Sequence, residues 1–250
     1  SEDEKDIFNI IDGPGVGKKV FEIKKDVSYI KWLEEDKFLI RASEKKSQKE
    51  KDKEKENKYF EKLTSLPFWN NGSSYVKDNK GAYYLYYKDK DGLKEITSYD
   101  LYNDIYSFKL NKDHSKAIYT RARYDKNKVM ELYEDLILLD INTGKEKILI
   151  ENSFSYFTAS FIENKIIFVA TDMKKGGINE DCFIYVCDYD GKYKKITDKD
   201  FDMDFANSLG TDVRFGSSNT FAVENDRLYF VVTQKETTKL YSIDINGKLR

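Results

Sequence analysis

The chain has 250 residues, with 43 Lys and Arg against 45 Asp and Glu, a formal charge of -2, so it carries no long-range field for nucleic acid or an anionic membrane. Aromatic residues make up 15% and prolines number only 2, a balance that favours pleated, half-buried strands over helices. No run approaches the ~20 apolar residues needed to cross a bilayer, and no apolar signal segment opens the chain.

In chain order, one pattern recurs: an apolar or aromatic strand, a turn with Asp or Asn and usually Gly, then a Lys-rich strand. The first copy runs from Ile7 through Asp12-Gly-Pro-Gly into Lys18-Lys-Val-Phe-Glu-Ile. The second runs from Tyr83-Tyr-Leu-Tyr-Tyr through Asp91-Gly into Leu93-Lys-Glu-Ile-Thr. Leu136-Ile-Leu-Leu-Asp-Ile-Asn-Thr-Gly leads into Lys145-Glu-Lys-Ile-Leu-Ile, and Phe183-Ile-Tyr-Val-Cys-Asp-Tyr-Asp-Gly into Lys192-Tyr-Lys-Lys-Ile-Thr. Leu240-Tyr-Ser-Ile-Asp-Ile-Asn-Gly opens a last copy.

A second kind of hairpin lies between these copies. Its strands are Val27–Leu33 with Lys37–Ser43, Ile105–Leu110 with Lys116–Ala122, Phe157–Ile162 with Lys165–Thr171, and Phe221–Val223 with Arg227–Thr233, each pair joined by a short polar turn. Two hairpins in series make a four-stranded antiparallel unit. An all-β unit repeated at such a period is the signature of a propeller blade. The chain opens on an outer hairpin with no inner hairpin before it. The expected architecture is therefore an incomplete arc of about four to five blades from a larger ring, over 1–250, whose missing strands lie outside the sequence.

Two segments interrupt the pattern. Residues 44–58 alternate Lys with Glu and Asp without an apolar residue, and read as a solvated helical or disordered insertion. Residues 59–76 combine apolar bulk with Pro67 and Asn71-Gly72, and read as an ordered loop, the kind of segment on which binding residues sit. Phe68 and Trp69 in that loop could pack a peptide side chain, or could plug the blade surface. Arg214 could pair with a carboxylate.

Catalytic signatures are wanting. The single histidine, His114, falls in a hairpin turn, and no Gly-x-Ser-x-Gly elbow, P-loop or zinc-type cluster occurs. Gly13-Pro-Gly-Val-Gly has no following helix to present amides to a phosphate, and the Asp198–Asp204 acidic cluster fits no calcium loop. Cys182 and Cys187, five apart on a strand, point to opposite faces and read as small hydrophobes. No catalytic residue, metal or cofactor is expected in this chain.

The segment Leu63-Thr-Ser-Leu-Pro-Phe-Trp-Asn-Asn-Gly resembles a Leu-Pro-Phe-Trp-x-Asn-Gly pattern of the propeller in prolyl-oligopeptidase-like serine peptidases, especially their acylaminoacyl-peptidase branch. Gly210-Thr-Asp-Val-Arg-Phe-Gly, followed by Asp226–Thr233 and Leu240–Asp244, is similar to a later blade of the same family. The resemblance implies a cytoplasmic peptidase in which a seven-bladed propeller covers an α/β-hydrolase domain and limits which short peptides reach its Ser-Asp-His triad. The hydrolase domain is absent from these residues, so no triad residue carries over. The expected role is a non-catalytic gate that selects short peptides for that domain, without nucleic-acid or membrane partners. A stand-alone propeller serving as an interaction or envelope-associated module is the alternative.

Overall fold

The computed structural model describes residues 6–10, 18–34, 37–57, 59–60, 69–70, 74–75, 81–87, 92–97, 104–127, 129–198, 201, 203, 205, 220–235 and 237–250. The chain divides into two compact units, 1–104 with 126–129, and 105–125 with 130–250.

In the first unit, β1 (Asp6–Ile10) pairs antiparallel with β2 (Lys18–Ile23). Strands β3 (Asp26–Glu34), β4 (Lys37–Ser43), β7 (Ala82–Tyr87) and β8 (Gly92–Glu95) then form a four-stranded sheet in chain order, as the two-hairpin reading requires. Between β4 and β7 lie helix α1 (Gln48–Glu56) and the two-residue strands β5 (Trp69–Asn70) and β6 (Ser74–Tyr75). Helix α1 buries nothing, so its local bonds must hold it. The Ser47 hydroxyl accepts from the Glu50 amide at 3.3 Å while the Ser47 amide donates to the Glu50 carboxylate at 2.8 Å, a complete capping box. The unit's core forms where Phe21 and Ile23 meet Phe38, Ile40, Tyr84 and Tyr86, with the Phe21 and Tyr86 rings stacked at 4.4 Å.

The second unit contains β9 (Ile105–Leu110), β10 (Lys116–Tyr124), β11 (Met130–Asp140), β12 (Glu146–Ile162), β13 (Lys165–Thr171), β14 (Phe183–Cys187) and β15 (Tyr193–Lys195), hydrogen-bonded in that order. Here the expectation of separate four-stranded blades needs a correction. The expected strands Lys145–Ile150 and Phe157–Ile162 are one continuous 17-residue strand, β12. Its first half pairs with β11, from Leu139 opposite Glu146 to Glu134 opposite Phe154, and its second half with β13, from Ser155 opposite Thr171 to Ile162 opposite Lys165. Two four-stranded units thus share β12, outermost in one and innermost in the next. A last sheet, β16 (Phe221–Glu224), β17 (Arg227–Gln234) and β18 (Thr237–Asp244), gains the start of a fourth strand where Ile243 bridges Leu249. Among the described residues no sheet closes on itself.

Packing within this unit is face to face. Alternate residues of β13 point to opposite sides: Ile166, Phe168 and Ala170 join Ile118, Leu136 and Leu149 in one core, while Ile167 and Val169 join Leu228, Phe230 and Val232 in another. The β12–β15 sheet is therefore buried on both faces, as stacked blades are. Cys187 packs in the first of these cores and Cys182 against the second, so the two thiols do face opposite ways.

Candidate functional site

In a stack of antiparallel sheets, the first strand of each sheet lies beside the first strand of the next. In the second unit these are β9, the latter half of β12, and β16, with β12 in contact with both neighbours. Along them runs a cleft of about 390 Å³. Lys109 contributes from β9, Phe157, Thr158 and Ser160 from β12, and Phe221 from β16. Ile167, Val169 and Leu228, all buried, back it with apolar surface.

Two bulges set its shape. On β12, Tyr156 faces Ala170 and Thr158 faces Val169, leaving Phe157 as the extra residue without a partner on β13. A bulge re-aims a side chain out of the regular alternation. The Phe157 ring stands 52% exposed, 5.3 Å from Phe221. Phe221 is itself anchored, lying 5.9 Å from the buried ring of Phe205. On β9, Tyr106 faces Thr120 and Lys109 faces Ile118, so that strand too carries an extra residue, with Ser107 in the left-handed region at φ 51. Lys109 emerges exposed just beyond this bulge. Among the described residues its ammonium makes no ion pair or hydrogen bond, and the hydroxyls of Thr158 and Ser160 make none either.

Behind the strand sit two polar groups without full partners. One carboxylate oxygen of Glu134 and the Tyr156 hydroxyl are buried and make no hydrogen bond among the described residues. Burial pushes the Glu134 carboxyl above the usual carboxylate range, against the opposing effect of the Thr120 hydroxyl, and burial likewise raises the Tyr156 phenol. Burial holds the Cys182 and Cys187 thiols up at about 11 and about 12, so both are neutral near pH 7. His114 occupies the β9–β10 turn with φ 57, its amide donating to the Asn111 carbonyl at 3.1 Å. Among the described residues no group of three or more His, Cys, Asp and Glu is placed to hold a metal, and no helix is long and apolar enough to cross a membrane. The cleft offers apolar walls, two hydroxyls and a cation. That is a set of groups for binding.

The residues singled out from sequence do not assemble here. Phe68 and Arg214 lie outside the described residues, and Trp69 enters as the first residue of β5, opposite Tyr75. Lys109, Phe157 and Phe221 were all within predicted inner strands, yet nothing in their spacing marks them. Regular alternation gives no sign of a bulge, and the bulge is what turns Phe157 outward.

No protein-family model matches the chain, and no curated protein does. Solved structures do. The acylaminoacyl peptidase of Pyrococcus horikoshii superposes with a TM-score of 0.60 at 18% identity, covering 94% of this chain and 33% of that one. The β-propeller domain of the Trilobed protease from Pyrococcus furiosus superposes at 0.51 with 16% identity, covering 94% of this chain and 57% of that one. The fold is that of a β-propeller. An oligogalacturonate lyase solved in complex with manganese shares it at 0.53 with 11% identity, over 91% of this chain and 50% of that one, so the propeller by itself does not choose a chemistry. The chain is similar in fold to the propellers of peptidases, as its motifs implied, and spans a third of the length of the acylaminoacyl peptidase it matches.

Proposed function

We infer that these residues are the non-catalytic propeller portion of a serine peptidase of the acylaminoacyl-peptidase and prolyl-oligopeptidase kind. They form an arc of about four to five blades from a seven-bladed ring, and gate short peptides for an α/β-hydrolase domain elsewhere in the same cytoplasmic polypeptide. The observation that carries this reading is the superposition of 94% of the chain on one third of an acylaminoacyl peptidase. The Leu66-Pro-Phe-Trp and Gly210–Gly216 motifs support it.

The mechanism is one of access. A stack of blades presents a narrow line of inner strands, so an extended peptide reaches a covered active site while a folded protein is excluded. Holding a peptide in one orientation beforehand removes part of the entropy cost of reaction, with no bond chemistry from the propeller itself. Phe68, Trp69 and Arg214 remain candidates for peptide contact on chemical grounds, two flat apolar rings and a carboxylate-binding fork.

The test compares two preparations on acyl-amino-acid and peptide anilides: the 250-residue chain and the complete gene product that contains it. Hydrolysis is expected from the complete product alone. Turnover by the 250-residue chain itself would overturn the reading, and so would a complete product that binds partner proteins but cleaves none of the anilides, the outcome a stand-alone interaction module predicts.

A further inference from the structure

The cleft along β9, β12 and β16 has features that together define a ligand class. At about 390 Å³ it lies at the small end of the range for ligand sites, which leaves room for one large residue rather than a run of peptide. Its walls are two aromatic rings, Phe157 and Phe221, over the aliphatic surface of Val169 and Leu228. Among the described residues its one charge is positive: Lys109 lines the site without an ion-pair partner. A half-exposed phenylalanine held out by a bulge loses contact with its own sheet, and that loss is recovered when an apolar group slots against it.

One residue that brings both an apolar side chain and an anion into so small a volume is the C-terminal residue of a peptide. An internal Asp or Glu supplies the anion but leaves the apolar walls empty, and an internal Phe or Leu supplies the reverse. The geometry points to a subsite for the free C-terminus of a short peptide ending in an apolar or aromatic residue. The terminal carboxylate sits on the Lys109 ammonium, the side chain packs against the wall that the contacting Phe157 and Phe221 rings form together, and Thr158 and Ser160 lie within the same wall for the last peptide group. The inference rests on the peptide-gating reading above and extends it. It assigns the trailing end of the substrate to the propeller, and it favours short peptides because only they present a free C-terminus at a fixed distance from the other end.

The experiment is a titration of the 250-residue chain, followed by heteronuclear NMR and calorimetry, with three probes: N-acetyl-phenylalanine, its C-terminal amide, and N-acetyl-aspartyl-phenylalaninamide, which carries its acid on a side chain. The free acid is expected to bind roughly tenfold more tightly than the amide, the size of one charge-assisted hydrogen bond. Lys109→Met should erase that preference while leaving the amide's affinity in place, and Phe157→Ala should weaken acid and amide alike. Both side chains are exposed, so each variant is expected to fold, and matching thermal melts check this. Equal binding of acid and amide, no binding of either up to the solubility limit, a preference that survives Lys109→Met, or tightest binding of the side-chain acid each overturns the subsite. The two readings fail separately. A carboxylate-dependent cleft in a gene product that cleaves no anilide sinks the peptidase and keeps the subsite, whereas an active peptidase whose propeller ignores the C-terminus does the opposite.

Discussion

In the second unit, the residue on which the repeat turns is the aspartate at the end of the third strand of each four-stranded unit or sheet. The Asp188 carboxylate accepts from the amides of Asp190 and Lys192, both at 2.9 Å, and the Asp244 carboxylate accepts from Asn246 at 2.9 Å and Lys248 at 3.0 Å. Asp140 accepts from the amide and hydroxyl of Thr143. These backbone bonds hold all three carboxyls below the usual range, which explains why Asp recurs there in the sequence. The following glycine has a second reason to recur. Gly144, Gly191 and Gly247 all have positive φ, at 73, 90 and 87 degrees. Only the last two approach a neighbour: a methyl on Gly247 would lie 2.5 Å from the Ile196 carbonyl oxygen, and one on Gly191 would press into the Leu149 carbonyl, each belonging to the preceding sheet. A methyl on Gly144 meets nothing within 4 Å. Gly191→Ala and Gly247→Ala should therefore cost about 2–4 kcal/mol, backbone strain plus a displaced sheet, against about 1 kcal/mol for Gly144→Ala. Urea midpoints check the contrast; equal losses at all three would mean the inter-sheet approach carries no weight. The turn was legible in sequence because its chemistry is local. The close approach was not, because its partner lies about fifty residues away.

At the scale of elements, the long strand β12 is where sequence reading and structure part. Glu151-Asn-Ser looks like a break between two strands, being polar and flanked by apolar runs. The chain instead continues as a strand through a kink, with Asn152 at φ 44. A kink takes an amide out of the ladder, and a part-buried amide that loses its ladder partner is better held by another acceptor than left to water. Asp135, on β11, supplies it: its carboxylate takes the Asn152 amide at 3.0 Å and the Arg123 guanidinium at 2.9 Å, while Arg123 also reaches Glu151 at 3.2 Å and Glu131 at 3.3 Å. The Asp135 side chain is only 7% exposed, and its removal strands the Asn152 amide and takes from Arg123 the most buried of its three carboxylate partners. Asp135→Ala should cost about 2–4 kcal/mol, and Asp135→Asn less, since an amide oxygen still serves Asn152. Hydrogen exchange at the Asn152 amide reads this directly: fast exchange in the alanine variant and partial protection in the asparagine one are expected, and unchanged protection in both would rule out the pin. The same physics hid the cleft. Bulges and kinks arise from tertiary acceptors and neighbouring sheets, and hydrophobic alternation is blind to them, so Phe157 read as an ordinary inner-strand residue.

At the scale of the molecule, the propeller was legible because a pair of hairpins recurs along the chain, whereas the cover its strands need was not drawn from composition, which pointed to half-buried sheets. Ile166-Ile-Phe-Val-Ala and Phe183-Ile-Tyr-Val-Cys are unbroken apolar runs, and such runs need cover on both faces. The second unit provides it, with Phe168 turned toward the β9–β12 sheet and Ile167 toward the β16–β18 sheet. Because the same short strand serves two cores, a cavity on one face should loosen the other. Phe168 is fully buried, stacked on Tyr185 at 5.1 Å and edge-on to Phe154 at 5.6 Å, so Phe168→Ala should cost about 3–5 kcal/mol. Ile167→Ala on the opposite face should cost about 2–5 kcal/mol. The decisive reading is where protection is lost. If β13 transmits the damage, hydrogen exchange in Phe168→Ala accelerates at Leu228 and Phe230 of β17, although neither shares a core with Phe168. Quiet amides in β17 would show that each pair of facing sheets holds on its own, as repeat units with only nearest-neighbour coupling do. The stack would then unravel one interface at a time, and the inner-strand cleft, built from three successive sheets, would lose its shape before the cores beneath it melted.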